Sequence, residues 1–149
     1  MAHPAENIDL SLFHHRHPVQ LRWNDLDMLG HVNNSIYFTF MDLAKTRYFQ
    51  EALGEELQWG KIGVAIVNIN CDFLAPTFFD DAVEVLTAIT HIGEKSIHLE
   101  QIVIGVTDRR IRVRCSTVMA GFDMKTLKSA PIREEWRKAF EKFEGKSLS

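Results

Sequence analysis

The chain has 149 residues, of which 46% are hydrophobic and 25% charged, the size of one domain with enough apolar side chains for a core. Its 17 basic and 20 acidic side chains give a net charge of −3, whereas general nucleic-acid binders usually have a basic excess. No apolar run approaches the roughly eighteen residues needed to span a bilayer, and residues 1–20 lack a signal-peptide pattern. We therefore expect one cytoplasmic domain over residues 1–149, without nucleic-acid binding or a membrane span.

Residues 1–15 are polar and are predicted to form a flexible arm. His14, His15 and His17 lie close together near its end, and such a group can bind a metal ion. No Cys or carboxylate accompanies them at a known ligand spacing, so a solvated arm is the preferred interpretation and no metal is expected.

The two cysteines, Cys71 and Cys115, both lie in apolar, strand-like runs. This placement is typical of cysteines that pack as small buried hydrophobic residues. A disulfide between them remains open, although no secretory context favours one.

The first regular element is predicted over residues 17–23. Val19, Leu21 and Trp23 alternate with polar residues, and a period of two indicates a strand. The strand should end at Asn24-Asp25, which favour turns.

Residues 34–53 are predicted to form a long helix. Two adjacent stripes of its surface are mainly apolar, which indicates a largely buried helix; their apolar members are Ile36, Tyr37, Phe40, Met41, Leu43, Ala44 and Tyr48. Asn33 or Asn34 can cap the N-terminus by accepting a first-turn N–H. Gly54 can end the helix.

Five elements follow, separated by short turn sequences. Four are strand-like, at residues 62–74, 82–92, 96–106 and 111–122, and the last is an amphipathic helix over 131–143. Pro131 fits the first turn of this helix, and Glu134 and Glu135 suit the positive end of its dipole. Its docking side chains should be Ile132, Trp136, Phe140 and Phe143.

The order and lengths of these elements determine the predicted fold class. Long strands joined by short turns favour an antiparallel sheet, and a long apolar helix must bury itself against that sheet. We therefore predict an α+β hotdog fold, in which a five-stranded antiparallel sheet wraps around one long central helix, with a short C-terminal helix.

The junction between the first strand and the long helix has a composition suited to acyl chemistry. Asp25 and Asp27 lie there, and Gly30 allows a tight turn before the helix. A helix N-terminus presents unpaired N–H groups and about half a positive charge. A carboxylate folded back towards these donors forms a site able to attack an acyl carbonyl and stabilise the oxyanion. The residues alone do not decide between the two aspartates.

The same segment carries a family resemblance. Asp25 to Asn34, DLDMLGHVNN, with Tyr37 after it, resembles the motif of the 4-hydroxybenzoyl-CoA thioesterase-like branch of the hotdog superfamily. The resemblance extends loosely to Arg22-Trp23 and to Phe73-Leu74-Ala75-Pro76. The predicted element order agrees with that family over residues 17–123.

This resemblance implies a reaction and an assembly. A member of the family hydrolyses an acyl-CoA thioester to a free acid and CoA. Asp27 would act either as a nucleophile that forms a mixed anhydride or as a general base that activates water. The backbone near Asn33 and Asn34 would polarise the thioester carbonyl. Such proteins form homodimers joined sheet edge to sheet edge, often paired into homotetramers, with active sites at the dimer interface and no cofactor.

Several residues of the motif also have purely structural interpretations. Without the resemblance, Asp27 would be assigned to a turn or cap, and Asp25 is expected to orient the loop through backbone N–H groups. His31 could act as an acid or base, but local packing is preferred. Asn33 and Asn34 could cap the helix or contact the ligand. Tyr37 could line the acyl pocket, although a core position is slightly favoured.

Two arginines are weaker candidates for ligand contact. Arg110 and Arg112 share one face of a predicted strand, and such a face is commonly solvated. CoA phosphates must nevertheless be bound at the surface, and arginine suits phosphate.

Two other functions remain open. One is a hotdog hydratase or dehydratase acting on an acyl thioester, which the spacing around Asp27 disfavours. The other is a non-catalytic module that binds acyl-CoA without cleaving it. The sequence leaves undecided the acyl group and whether its carrier is CoA or acyl carrier protein.

Overall fold

The computed structural model describes residues 6–54 and 63–149 and has five strands and two α-helices. In chain order these are β1 (His15–Pro18), α1 (Asn34–Leu53), β2 (Val64–Phe73), β3 (Val83–Ile92), β4 (Ser96–Gly105), β5 (Ile111–Gly121) and α2 (Glu134–Glu144). All strand pairs are antiparallel, in the order β1-β3-β4-β5-β2, so β1 and β2 form the sheet edges. The predicted α+β hotdog architecture is confirmed. Within the described ranges, neither helix is long and apolar enough to cross a membrane.

Helix α1 has the predicted bounds. The Asn33 side chain accepts a hydrogen bond from the Ser35 N–H at 2.9 Å, so Asn33 is the cap. Gly54 ends the helix with a φ of +54°, which favours glycine.

The face of α1 that meets the sheet is apolar. Its buried side chains pack on inward-facing residues of β3, β4 and β5; the cluster contains Tyr37, Met41, Ala44, Val83, Val85, Val103, Val113 and Cys115. The expectation that α1 is largely buried is wrong for the single chain, because Phe38 and Leu43 remain exposed. One sheet covers only part of the wide apolar arc.

Helix α2 covers the other end of the core. Trp136 and Phe140 are buried against Phe49 and other residues near the C-terminus of α1, which confirms the predicted docking. The helix begins at Glu134, so the prediction that Pro131 lies in its first turn is wrong. The chain just before the helix pairs with other segments instead, since Ile132 N–H donates to the Glu94 carbonyl.

The first strand is shorter and earlier than predicted. It covers His15–Pro18, and Trp23–Asp25 form a 3₁₀ turn rather than the end of a strand. The Asp25 carboxylate accepts the Arg22 N–H at 2.8 Å, and such local bonds compete with strand pairing. Trp23 is 72% exposed.

The N-terminal segment is described from residue 6 onward. Leu10–Leu12 form a 3₁₀ turn, and Ile8, Leu10 and Phe13 pack on the outer face of the sheet. Residues 8–15 are therefore part of the folded body, and residues 1–5 of the predicted arm lie outside the described residues. His15 is buried, with its Nε2 3.2 Å from a Glu51 carboxylate oxygen.

Cys71 and Cys115 are direct cross-strand partners on β2 and β5 and are joined by a disulfide. The pairing that the sequence left open is thus present. Cys115 lies in the core beneath α1, whereas Cys71 is partly exposed on the edge strand.

Candidate active site

The segment between β1 and α1 folds into a small antiparallel hairpin. Leu26 and Val32 form a bridge across it. On either side, Asp27 N–H donates to the His31 carbonyl and Asn33 N–H to the Asp25 carbonyl, both at 2.9 Å. Asp27 therefore lies directly opposite His31, and the same hairpin leads into the first turn of α1.

The hairpin turns through three residues, Met28 to Gly30. Gly30 N–H donates to the Asp27 carbonyl at 3.0 Å, and Gly30 has a φ of +78°. A turn followed by a left-handed residue is typical of three-residue hairpin loops. Gly30 thus shapes the loop through its backbone.

The Asp27 carboxylate is half-buried. Its Oδ1 accepts the Leu29 N–H at 2.9 Å, and its Oδ2 has no hydrogen-bond partner in the described part of the chain. Alternate side chains of a strand point to opposite faces, so Asp27 and His31 lie away from the core that contains Leu26 and Val32. One carboxylate oxygen is held by the turn and the other is available for chemistry.

Asp25 has the structural role expected of it. Its Oδ2 accepts the Arg22 N–H, which fixes the 3₁₀ turn that enters the hairpin.

A third chain segment, residues 77–78, completes the hairpin as a small three-stranded patch. Val32 N–H donates to the Thr77 carbonyl at 2.8 Å, and His31 forms a bridge with Phe78. The Tyr37 hydroxyl donates to Thr77 Oγ1, also at 2.8 Å. Thr77 could not be recognised from the sequence, because a single threonine between two strands shows no pattern before the fold brings it to α1.

Tyr37 is almost fully buried, as the core interpretation favoured, and it also lines the groove described below. Burial raises the pKa of its hydroxyl above the usual value near 10. The hydroxyl therefore stays protonated at neutral pH and donates a hydrogen bond to Thr77.

The Asn34 backbone N–H at the N-terminus of α1 is available as a donor. The Ser35 N–H is bound by the Asn33 side chain, and the Ile36 N–H donates to the Asn33 carbonyl. Among the described residues the Asn34 N–H has no acceptor. This N–H lies at the positive end of the helix dipole, where an oxyanion would be stabilised.

A groove of about 270 Å³ lies beside this N-terminus. It is lined by His31, Val32, Asn34, Tyr37, Phe73, Leu74, Ala75 and Pro76. Asp27 does not line the groove of the single chain, but it lies across the hairpin from His31, which does. The fold thus brings the motif residues together with residues 73–76, at the end of β2.

The two arginine candidates differ in their surroundings. Arg112 is buried, and its guanidinium donates to both Asp108 carboxylate oxygens, at 3.2 and 2.9 Å, with Asp81 3.6 Å away. Arg110 is exposed and forms no ion pair with any described residue. Arg110 is therefore the one able to meet a ligand.

A larger groove, of about 600 Å³, lies at the α2 end of the molecule between Phe122 and Trp136. Its carboxylate, Asp123, accepts the backbone N–H groups of Lys125 and Thr126 and so stabilises a turn. Among the described residues, the lining of this groove includes none of the motif residues 25–34.

Replacing Gly30 by Ala should lower kcat, because the left-handed backbone that aims Asp27 becomes strained. An added Cβ meets no atom within 4 Å, so the cost is conformational, about 1–2 kcal/mol of folding free energy. Gly145 at the end of α2 has a similar φ of +74° and equally open space, so Gly145→Ala is a matched control. Urea unfolding should show similar losses for both variants, whereas steady-state kinetics should show a kcat loss only for Gly30→Ala. Equal kcat values for Gly30→Ala and Gly145→Ala would contradict the proposal that the Gly30 turn positions Asp27.

Comparison with known proteins gives the family. The model of the thioesterase-like superfamily matches residues 21–140. The long-chain acyl-CoA thioesterase FadM of Escherichia coli (strain K12) is 24% identical over 126 residues, covering 83% of this chain and 94% of its own.

Solved structures agree with this match. A thioesterase from Thermus thermophilus, complexed with coenzyme A and Zn, is 29% identical, with a TM-score of 0.82 over 93% of this chain and 100% of its own. A gentisyl-coenzyme A thioesterase is 30% identical, with a TM-score of 0.72 over 84% of this chain and 98% of its own. The resemblance found in residues 25–34 is confirmed, and the chain belongs to the thioesterase-like superfamily.

Proposed function

We propose that the protein is a cytoplasmic enzyme that hydrolyses an acyl-CoA thioester to a free acid and CoA. The observation that supports this most directly is the hairpin. It fixes one oxygen of the Asp27 carboxylate, leaves the other unpartnered, and leads directly to the available Asn34 N–H. The family membership and the relatives named as acyl-CoA thioesterases support the same reaction.

Asp27 has two possible chemical roles. As nucleophile, its Oδ2 bonds to the acyl carbon, the C–S bond breaks, and the thiolate leaves and takes a proton from water. Water then cleaves the mixed anhydride and regenerates the carboxylate. As general base, Asp27 takes a proton from a water molecule while the oxygen of that water bonds to the acyl carbon. The C–S bond then breaks, and the leaving thiolate takes the proton from Asp27.

The Asn34 N–H is the proposed oxyanion donor. The carbonyl oxygen gains negative charge in either route, and a fixed donor at the positive end of a helix stabilises this charge without rearrangement. Loss of one such donor typically costs about 3 kcal/mol of transition-state stabilisation. His31 and Tyr37 line the adjacent groove and position the substrate, and Gly30 holds the loop.

Thiol release from a panel of acyl-CoAs tests the reaction. We expect saturable turnover that yields equal amounts of acid and free CoA. Saturable binding without thiol release would indicate an acyl-CoA-binding module, and hydration of an enoyl-CoA would indicate a hydratase. Including aromatic, short, medium and long acyl groups on both CoA and acyl carrier protein would identify the substrate class.

We also propose that the enzyme is a homodimer, or a homotetramer built from such dimers. Strand β2 is a ten-residue sheet edge with exposed apolar side chains, Ile66, Val67, Ile69 and Phe73. A long apolar edge readily pairs with another chain, and Phe38 of α1 extends this surface through its ring contact with Phe73. The other edge, β1, has four residues and ends in proline, which limits pairing.

Val67→Lys tests this interface. Val67 is 62% exposed in the single chain, and Val106, in the turn after β4, is 45% exposed. We expect light scattering to show dimers or tetramers for the wild type and Val106→Lys, and monomers for Val67→Lys. A monomeric wild type, or assembly unaffected by Val67→Lys, would contradict the edge-to-edge arrangement.

A further inference from the structure

The segment between β2 and β3 contacts both parts of the candidate active site through one residue. Thr77 is fully buried. Its carbonyl accepts the Val32 N–H of the hairpin at 2.8 Å, and its Oγ1 accepts the Tyr37 hydroxyl of α1, also at 2.8 Å. Thr77 therefore binds the hairpin through its backbone and the helix through its side chain.

These two contacts lie on either side of the joint between the hairpin and α1. The joint is a single extended residue, Asn33, with a φ of −61° and a ψ of 137°. Val32 belongs to the hairpin before it, and Asn34 begins the helix after it. A residue at the end of an element can absorb a change in backbone angle and so turn one element relative to the next. A residue that binds both elements opposes such a rotation.

The angle at this joint matters to the proposed reaction. Asp27 lies in the hairpin before the joint, whereas the Asn34 N–H lies after it. The carboxylate must reach the acyl carbon, or the water that attacks it, while the N–H binds the carbonyl oxygen of the same acyl group. Displacing a reacting group by about 1 Å can cost about 100-fold in rate. The separation of the two groups must therefore be held constant.

The segment that contains Thr77 is itself held against the sheet. The next residue, Phe78, donates its N–H to Asp81 Oδ2 at 2.9 Å. The same oxygen lies 3.6 Å from a guanidinium nitrogen of Arg112, a buried residue of β5. The contacts of Thr77 thus connect the joint to the sheet.

The Thr77 side chain has no direct access to a substrate. It is fully buried, and it is absent from the described residues that line the groove beside α1. Any influence of its hydroxyl on the reaction must therefore act through Tyr37, whose ring does line that groove.

We infer that Thr77 is a positioning residue for the hydrolysis, because its hydrogen bond with Tyr37 fixes α1 relative to the hairpin. The Asn34 N–H then stays at a constant distance from the Asp27 carboxylate. The inference rests on the proposed function, in which these two groups bind the oxyanion and carry out the attack. Catalysis should accordingly depend on the Thr77 hydroxyl and not only on the space that the side chain fills.

Thr77→Val removes the hydroxyl but keeps the shape of the side chain and the carbonyl that binds Val32. We expect kcat to fall about tenfold, because the two groups can move by part of an ångström. KM should stay within about twofold of the wild-type value, since the groove lining is unchanged. Thr77→Ser keeps the hydroxyl and loses only a methyl group, so it should restore most of the kcat that Thr77→Val loses.

Thr87→Val is the matched control for a purely structural effect. Thr87 lies on β3, is 1% exposed, and accepts a hydrogen bond from the buried Gln101 side chain through Oγ1 at 3.1 Å. Each valine variant removes the acceptor of a buried donor, so urea unfolding should show losses of similar size for both. Only Thr77→Val should have a lower kcat per folded molecule.

Tyr37→Phe removes the same hydrogen bond from its other side. We expect the same loss of kcat as in Thr77→Val and no further loss in the double variant, because both changes remove one interaction. If Thr77→Val does not fold, Tyr37→Phe alone decides the question. A tenfold lower kcat would then support the inference, and a wild-type kcat would overturn it.

Two kinds of failure are distinguishable. If the wild type releases no thiol from any acyl thioester of the panel, the proposed function itself is overturned. The wild type may instead be active while Thr77→Val keeps its kcat, Thr77→Ser is impaired to the same extent, or Thr87→Val loses as much. Any of these results, or additive losses in the double variant, overturns the positioning role alone.

Discussion

Asp27→Asn should lower kcat/KM for acyl-CoA hydrolysis by a factor of about 100 or more, because acid–base and nucleophilic groups typically contribute 10² to 10⁴. The amide oxygen can still accept the Leu29 N–H that the carboxylate binds at 2.9 Å, so the loop should keep its shape. An amide neither forms a mixed anhydride nor removes a proton from water. Thiol release measured under steady-state conditions checks the rate, and thermal unfolding checks the fold.

Asp25→Asn is the matched control for this experiment. Asp25 lies two residues earlier and also binds a backbone N–H through its side chain, a contact that the amide can retain. We expect this variant to keep most of its activity. Near-normal turnover by Asp27→Asn, or an equal loss in Asp25→Asn, would contradict the assignment of the catalytic carboxylate.

Phe140→Ala should destabilise the protein by about 3–5 kcal/mol, the usual cost of truncating a buried phenylalanine. Phe140 is fully buried, and its ring lies 5.3 Å from that of Phe49 and 6.1 Å from that of Tyr48. Truncation leaves a cavity between α2 and α1. The reacting hairpin is outside this cluster, so kcat per folded molecule should change little.

Urea unfolding at a fixed protein concentration measures this loss, since assembly also shifts apparent stability. Lys138, on the exposed side of the same helix, provides the control. The free energy of unfolding of Lys138→Ala should lie within about 0.5 kcal/mol of the wild-type value. A loss below about 1 kcal/mol for Phe140→Ala would show that α2 does not close the core.

Periodic segments were predicted well. The bounds of α1 agree at both ends, and those of β2 to β5 agree within two residues, because a buried face imposes a regular pattern over ten or more residues. The errors fall where local polar contacts compete with that pattern. Asp25 captures the Arg22 N–H in a 3₁₀ turn at the place where the end of a strand was predicted. The Ile132 N–H bonds to the Glu94 carbonyl before α2 begins.

The candidate site was predictable only in part. The cap at Asn33 and the loop-orienting role of Asp25 follow from local chemistry, and both are confirmed. The choice of Asp27 as the reacting group came from the family motif and stays a prediction. Thr77 could not be found, because its contacts with Val32 and Tyr37 exist only after distant segments meet. Likewise, Arg112 is paired and Arg110 is not because of where the loops place Asp81 and Asp108, which the sequence does not show.

The disulfide between Cys71 and Cys115 has a consequence for the proposed edge-to-edge assembly. A strand that slips by one residue exchanges its two faces, and an edge strand is held by hydrogen bonds on one side only. The covalent link fixes β2 to β5 at one pair of positions, so such a slip is excluded while the link is intact. Subunits that separate and meet again would therefore present the same apolar side chains each time.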